Sequence, residues 1–129
     1  MIVVERRRFW ERRFRMSGTD CVFCQIVSGD LNAEVVHNEE EVLAFRDING
    51  RAPVHVLVIP KRHVANLEGI GDLSDEIAKR LFEVASLAAG KLGVVESGYA
   101  VRINNGDDAG QAIPHLHLHV IGGERLGMP

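Results

Sequence analysis

A chain of 129 residues, 46% hydrophobic and 26% charged, has the size of one domain around one core. No apolar run approaches the ~20 residues that a bilayer span needs, and no apolar segment of signal-peptide type follows the first arginines. Net charge is −3, but residues 1–16 hold six arginines against two glutamates, leaving 9 of the 15 basic and 16 of the 18 acidic residues in the rest, a balance of −7. A body so acidic is a poor partner for a phosphate backbone, so neither membrane nor nucleic acid is expected as a partner.

In chain order, residues 1–16 read as a disordered or extended basic segment. Met16 opens a natural-looking start, MSGTDCVFC, and residues 17–129 form the folded domain. Cys21 and Cys24 are a Cys-x-x-Cys, which in a non-secreted, cytoplasmic chain reads as a redox pair or half a metal site. CVFCQIVS (Cys21 to Ser28) spaces Val22, Phe23, Ile26 and Val27 as a helix does, and Gly29-Asp30 ends it. Ala33–His37 and Glu41–Arg46 are short β-like runs around Asn38-Glu39-Glu40, a predicted hairpin. Val54–Ile59 is a β-rich run that Pro60 closes. Within it, His55 alternates with Val54, Val56 and Val58 and so faces away from them.

Leu67–Asp72, with two glycines, reads as a loop. Ser74 suits an N-cap, and Asp75 and Glu76 favour the positive end of the helix dipole. Leu73, Ile77, Leu81, Val84, Ala85, Ala88 and Leu92 keep one helical face apolar through Lys91, and Gly93 stops the helix. Tyr99–Ile103 is a further strand, Asn104–Gly110 a turn-rich loop and His115–Ile121 the last strand. The order of elements predicts an α+β domain: an antiparallel sheet of about five strands, one long helix and a short N-terminal helix, with the helices on one side.

The strongest chemical signal is His115-Leu116-His117-Leu118-His119. Alternation on a strand puts the three imidazoles on one face and Leu116, Leu118 and Val120 on the other. Three roles fit the imidazole face. His-x-His chelates zinc when a further ligand comes from elsewhere. Imidazole is also a nucleophile and acid–base group that leaves phosphorus readily. The third role is a solvated face without a task. The Gly- and Asn-rich loop just upstream favours phosphate chemistry, because such loops offer backbone N–H groups to an anion.

GQAIPHLHLHVIGG resembles the histidine-triad (HIT) signature, and CVFCQIVSGD, LAFRDI, APVHVLVIPKRH and GYAVRINNGDDAGQ match the family in order. The ending, IGG with a short ERLGMP tail, resembles the Hint branch of nucleoside phosphoramidases. The resemblance runs from about Cys21 to the C-terminus and implies an antiparallel α+β subunit that forms a homodimer. It implies a purine nucleotide or nucleotide conjugate as substrate, with His117 attacking the α-phosphorus to give a nucleotidyl-histidine that water hydrolyses, without a catalytic cofactor.

By the same resemblance His119 bonds a phosphate oxygen or the leaving group, Asn104 and Gln111 hold the phosphate, and Asp47 binds the ribose. Phe23, Ile26, Phe45 and Ile48 sandwich the base. In relatives with Cys-x-x-Cys it implies a structural zinc, here on Cys21, Cys24, His55 and His115; His37 and His63 read as surface or structural residues. Some positions depart from the family. Ala112 stands where many relatives have Ser or Thr, so one hydroxyl donor near the phosphate is absent. Asn49-Gly50-Arg51 replaces an Asn-Pro-type turn, and Arg51 there suits a longer polyphosphate. The C-terminal tail is short, and Pro114 removes a backbone donor just before the triad. A dinucleoside polyphosphate hydrolase, a zinc hydrolase ligated by the triad and a non-enzymatic nucleotide-binding scaffold are the competing readings.

Overall fold

Five short strands make one sheet, and two of them, VLAFR and VHVLVIP, are apolar or buried on both faces. A computed structural model describes residues 21–127; the basic segment expected over residues 1–16 lies outside them. The strands are β1 (Val35–Asn38), β2 (Val42–Arg46), β3 (Val54–Pro60), β4 (Tyr99–Arg102) and β5 (Leu118–Gly122). They form one antiparallel sheet in the order β1-β2-β3-β5-β4. The helices are α1 (Val22–Ser28) and α2 (Asp75–Lys91). No described helix is long and apolar enough to cross a membrane.

α2 begins as its sequence dictates, with the Ser74 hydroxyl accepting the Ile77 amide at 3.2 Å. Its face of Leu81, Val84, Ala85, Ala88 and Ala89 packs on Val42 and Ala44 of β2, Val54, Val56 and Val58 of β3, and Leu118 and Val120 of β5. The other face of the same strands, including Leu43, Phe45, Leu57 and Ile59, packs on Val22, Phe23 and Ile26 of α1. The two helices therefore lie on opposite faces, a correction to the expectation of one side. The reason is the period of two: both faces of β2 and β3 are apolar, so both need a cover.

Local details also differ from the sequence reading. Cys21 stands one residue before α1 as its cap, its Sγ accepting the Cys24 amide at 3.4 Å. Leu67–Asp72 is a turn of 3₁₀ helix rather than a plain loop. The last strand starts at Leu118, not His115. The register pairing Val58 with Leu118 puts Leu116 level with Pro60, which has no N–H for the ladder. Leu116 donates instead to the Val64 carbonyl at 2.7 Å. Alternation survives this detour: Leu116, Leu118 and Val120 join the α2 core, while the three histidines face the other way.

Candidate functional site

The histidine face divides into two clusters. At the end of β3 marked by Pro60, His115 is fully buried and donates Nε2–H to the Pro60 carbonyl at 2.8 Å. A carbonyl only accepts, so neutral His115 keeps its lone pair on Nδ1. That atom lies 3.4 Å from Cys21 Sγ, 3.6 Å from Cys24 Sγ and 3.2 Å from His63 Nδ1, and Cys24 Sγ is 3.4 Å from His63 Nδ1. A tetrahedron with Zn–N of ~2.0–2.1 Å and Zn–S of ~2.3 Å has edges of about 3.3–3.8 Å, so these four donors fit zinc.

Burial pushes the Cys21 thiol up to about 12 and raises Cys24 too, while desolvation lowers His63 and takes His115 down to about 4. All four shifts favour the uncharged forms, because burial opposes charge on each donor.

This set corrects the expected ligands, for His63 takes the place assigned to His55. Register explains why. His55 pairs with Ile121, toward the far end of β5, whereas His115 lies beyond Val58–Leu118, past the end of β3 where His63 follows Pro60.

His55 belongs to the second cluster, which lines a cavity of about 290 Å³ with Phe23, Asp47, Arg51, Arg102, Asn104, Ala112, His117 and His119, among others. The Arg51 amide donates to His55 Nδ1 at 3.1 Å, so neutral His55 carries its proton on Nε2. From there it donates to His119 Nδ1 at 2.9 Å, which leaves neutral His119 protonated on Nε2. His117 donates Nδ1–H to the His115 carbonyl at 2.6 Å, leaving Nε2 unprotonated. Desolvation, with His117 and His55 nearby, takes His119 down to about 4.

Gly50 lets the β2–β3 turn pass close to this cluster, because a Cβ there would stand 3.1 Å from His55 Cβ. Asp47 anchors the same turn, accepting the Asn49 amide at 2.9 Å, and its carboxylate lies 3.6 Å from His55 Nε2.

The other expected contacts sort by position. Phe23, Asp47 and Asn104 line the cavity. Phe45 and Ile26, buried in the same core cluster as Phe23, do not, and neither does the exposed Ile48. Leu57 and Ile113 supply the apolar wall instead. Gln111 is a brace: its Oε1 accepts the Gly106 amide and its Nε2 donates to the Ala65 and Ile113 carbonyls. The loop amides of Ala109, Gly110 and Gln111 are likewise spent on carbonyls of Gly106 and Asp107, so they are not offered to an anion. Arg102 was not singled out by the sequence; the β4–β5 register, which pairs it with His119, is the signal that places it here.

The HIT domain family profile matches residues 28–126. A solved structure, a HIT family hydrolase from Clostridium thermocellum, is 41% identical, with a TM-score of 0.80 over 84% of this chain and 95% of that one. An uncharacterised 13.2 kDa HIT-like protein of Azospirillum brasilense is 40% identical over 107 residues, 82% of this chain and 88% of its own length. A 14 kDa zinc-binding protein of Zea mays is 37% identical over 118 residues, 89% of this chain and 91% of its own.

Proposed function

This chain belongs to the HIT domain family, and from that premise we propose that it is a nucleotide hydrolase acting at the α-phosphate of a purine nucleoside phosphoramidate or acyl-nucleotide. The observation that carries the reading is the fixed proton of His117: with Nδ1–H held by the His115 carbonyl, the nitrogen left over is a nucleophile on the cavity wall.

In the first step Nε2 of His117 bonds to the α-phosphorus as the bond to the leaving group breaks. The leaving group departs with that electron pair, and an amine also takes up a proton supplied from water. The Nε2–H of His119 donates to a phosphate oxygen. In the second step water attacks phosphorus, the P–N bond breaks, its pair returns to Nε2, and the nucleoside monophosphate, such as AMP, is released with a proton. Asn104 holds the phosphate, Asp47 the ribose, and Phe23, Leu57 and Ile113 the base, where apolar area binds without demanding one base.

Cys21, Cys24, His63 and His115 would hold a structural zinc, which supplies a positive charge for two thiolates and fastens the start of α1 to the end of β3. The chemistry above asks nothing of it beyond placement of the His115 carbonyl. We further propose a cytoplasmic homodimer, on the strength of the family resemblance.

Mass spectrometry of a sample denatured at alkaline pH during turnover of an adenosine phosphoramidate, conditions under which a P–N bond to imidazole survives, tests the reading. A nucleotide adduct on His117 is expected. His117→Ala is expected to lower turnover by about 10³-fold or more while still binding nucleotide. An adduct elsewhere, or a variant as active as the parent, refutes it.

A further inference from the structure

One row of side chains crosses the sheet, and its Leu57, His119 and Arg102 line the cavity. Register pairs Phe45 with Leu57, Leu57 with His119, and His119 with Arg102. Paired residues on neighbouring antiparallel strands project from the same face, about 5 Å apart. From β2 to β4 the row therefore runs phenyl, isobutyl, imidazole, guanidinium. Phe23 covers its apolar end, its ring 5.3 Å from Phe45 and 5.3 Å from His117. A nucleoside resting on that apolar end, with its phosphorus at the two histidines, directs its leaving group toward β4.

Charge in the cavity has the same polarity. Three lining residues carry full charges: Asp47, Arg51 and Arg102. The Asp47 side chain is only 7% exposed and is turned to the Asn49 amide and His55. Arg51 and Arg102 are exposed, and no carboxylate of a described residue lies within 4.0 Å of either. Arg46 and Arg80, by contrast, are tied to Glu34 and Glu39 at 2.6 and 2.8 Å. Arg102 also stands near enough to His119 to disfavour its protonation. The accessible charge beyond the histidines is thus positive, in a body that is otherwise acidic. Guanidinium suits carboxylate and phosphate, which it binds through paired N–H donors.

We infer that Arg102, assisted by Arg51, forms an anion subsite for the leaving group, so that nucleotide conjugates releasing a carboxylate- or phosphate-bearing moiety are preferred over those releasing a neutral or cationic one. This inference rests on the hydrolase reading and names the substrate class within it. It differs from mere recognition of the α-phosphate, which every substrate of the reaction shares.

Four adenosine phosphoramidates with the same type of P–N bond test it. Their leaving amines are of matched basicity and bear a carboxylate, a phosphate, no charge or an ammonium. A charge-assisted hydrogen bond of about 1.5–3 kcal/mol corresponds to about tenfold or more in kcat/KM, expected for the better anionic member over the neutral one. The two anionic members show which anion is taken. The preference shrinks at about 0.5 M KCl, where exposed charges are screened beyond a few ångströms. Arg102→Gln brings the anionic-to-neutral ratio to about one, and Arg102→Glu inverts it. Circular dichroism and melting curves check that both variants fold.

A parent ratio of one or below overturns the inference. So does a ratio unchanged in Arg102→Gln, or a fall shared equally by all four substrates, which marks Arg102 as a ligand of the common phosphate. Turnover of none of the four, with no adduct on His117, sinks the hydrolase reading itself and this inference with it.

Discussion

His115 and His119 lie four residues apart, on one face, and both are held down to about 4 chiefly by burial. Their surroundings nevertheless give them opposite tasks. His115 spends its Nε2 proton on the Pro60 carbonyl and turns a bare Nδ1 toward two sulfurs and His63. His119 accepts a hydrogen bond at Nδ1 from His55 Nε2–H and so carries its own proton on Nε2. One backbone acceptor decides the first case, and one backbone donor, the Arg51 amide acting through His55, decides the second. A histidine repeat is thus not one site: the tautomer that each ring is forced into separates a metal ligand from a hydrogen-bond donor, and both from the nucleophile between them.

The sharpest way to break this contrast is to remove metal. Protein purified without chelator is expected to carry one zinc per chain, and its removal is expected to lower Tm by more than about 10 °C, because binding energy at a closed site is folding energy. Cys24→Ser is expected to lose both the metal and the stability. Metal analysis with differential scanning calorimetry checks this. A metal-free protein with the parent's Tm would show that the four donors stabilise the fold by packing alone.

Legibility in the sequence follows the same divide. Period two correctly turned His55 away from Val54, Val56 and Val58, and the spacing of Leu81, Val84, Ala85 and Ala88 correctly gave the apolar face of α2, which packs on those valines. Period alone says which face a residue takes, not how far along the strand it lies. His55 and Lys61, which the register extended past Pro60 sets level with His115, are six residues apart, about 20 Å on an extended chain. That distance is why His63 joins the cysteines and His55 cannot.

The same limit hid Arg102, an exposed residue on a short strand until its pairing with His119 is known. It also left Phe45 indistinguishable from Phe23: both are apolar and buried, but only Phe23 lines the cavity. Gln111, expected to hold the phosphate, instead has its amide engaged by Gly106, Ala65 and Ile113, contacts that spacing does not reveal.

A second test acts on the pocket alone. His55→Phe keeps a ring of similar size but cannot donate to His119, so the preference for Nε2–H is lost. Turnover is expected to fall by about 10–100-fold, mostly in kcat, with zinc content unchanged and KM within a few-fold. Equal losses in kcat and zinc would show that the two clusters are one mechanical unit and that their separation is only apparent.

The smallest expected effect is on acid stability. In the folded protein His119 titrates at about 4, against 6.5 for its ordinary value. Between those limits the unfolded chain takes up a proton that the folded one refuses. The contribution is therefore complete above pH 6.5, shrinks as pH falls, and is gone below about 4. His119→Asn removes this linkage and leaves the Cys/His cluster in place. Between neutral pH and about pH 4.5 the parent is expected to lose about 3–6 °C more in Tm than the variant, a figure reduced for the partial exposure of the ring. The cluster titrates identically in both proteins, so subtraction isolates the pocket. Parallel curves would mean that His119 is solvated enough to protonate in the folded state, and then it would meet the substrate as a cation rather than as the neutral donor that His55 prepares.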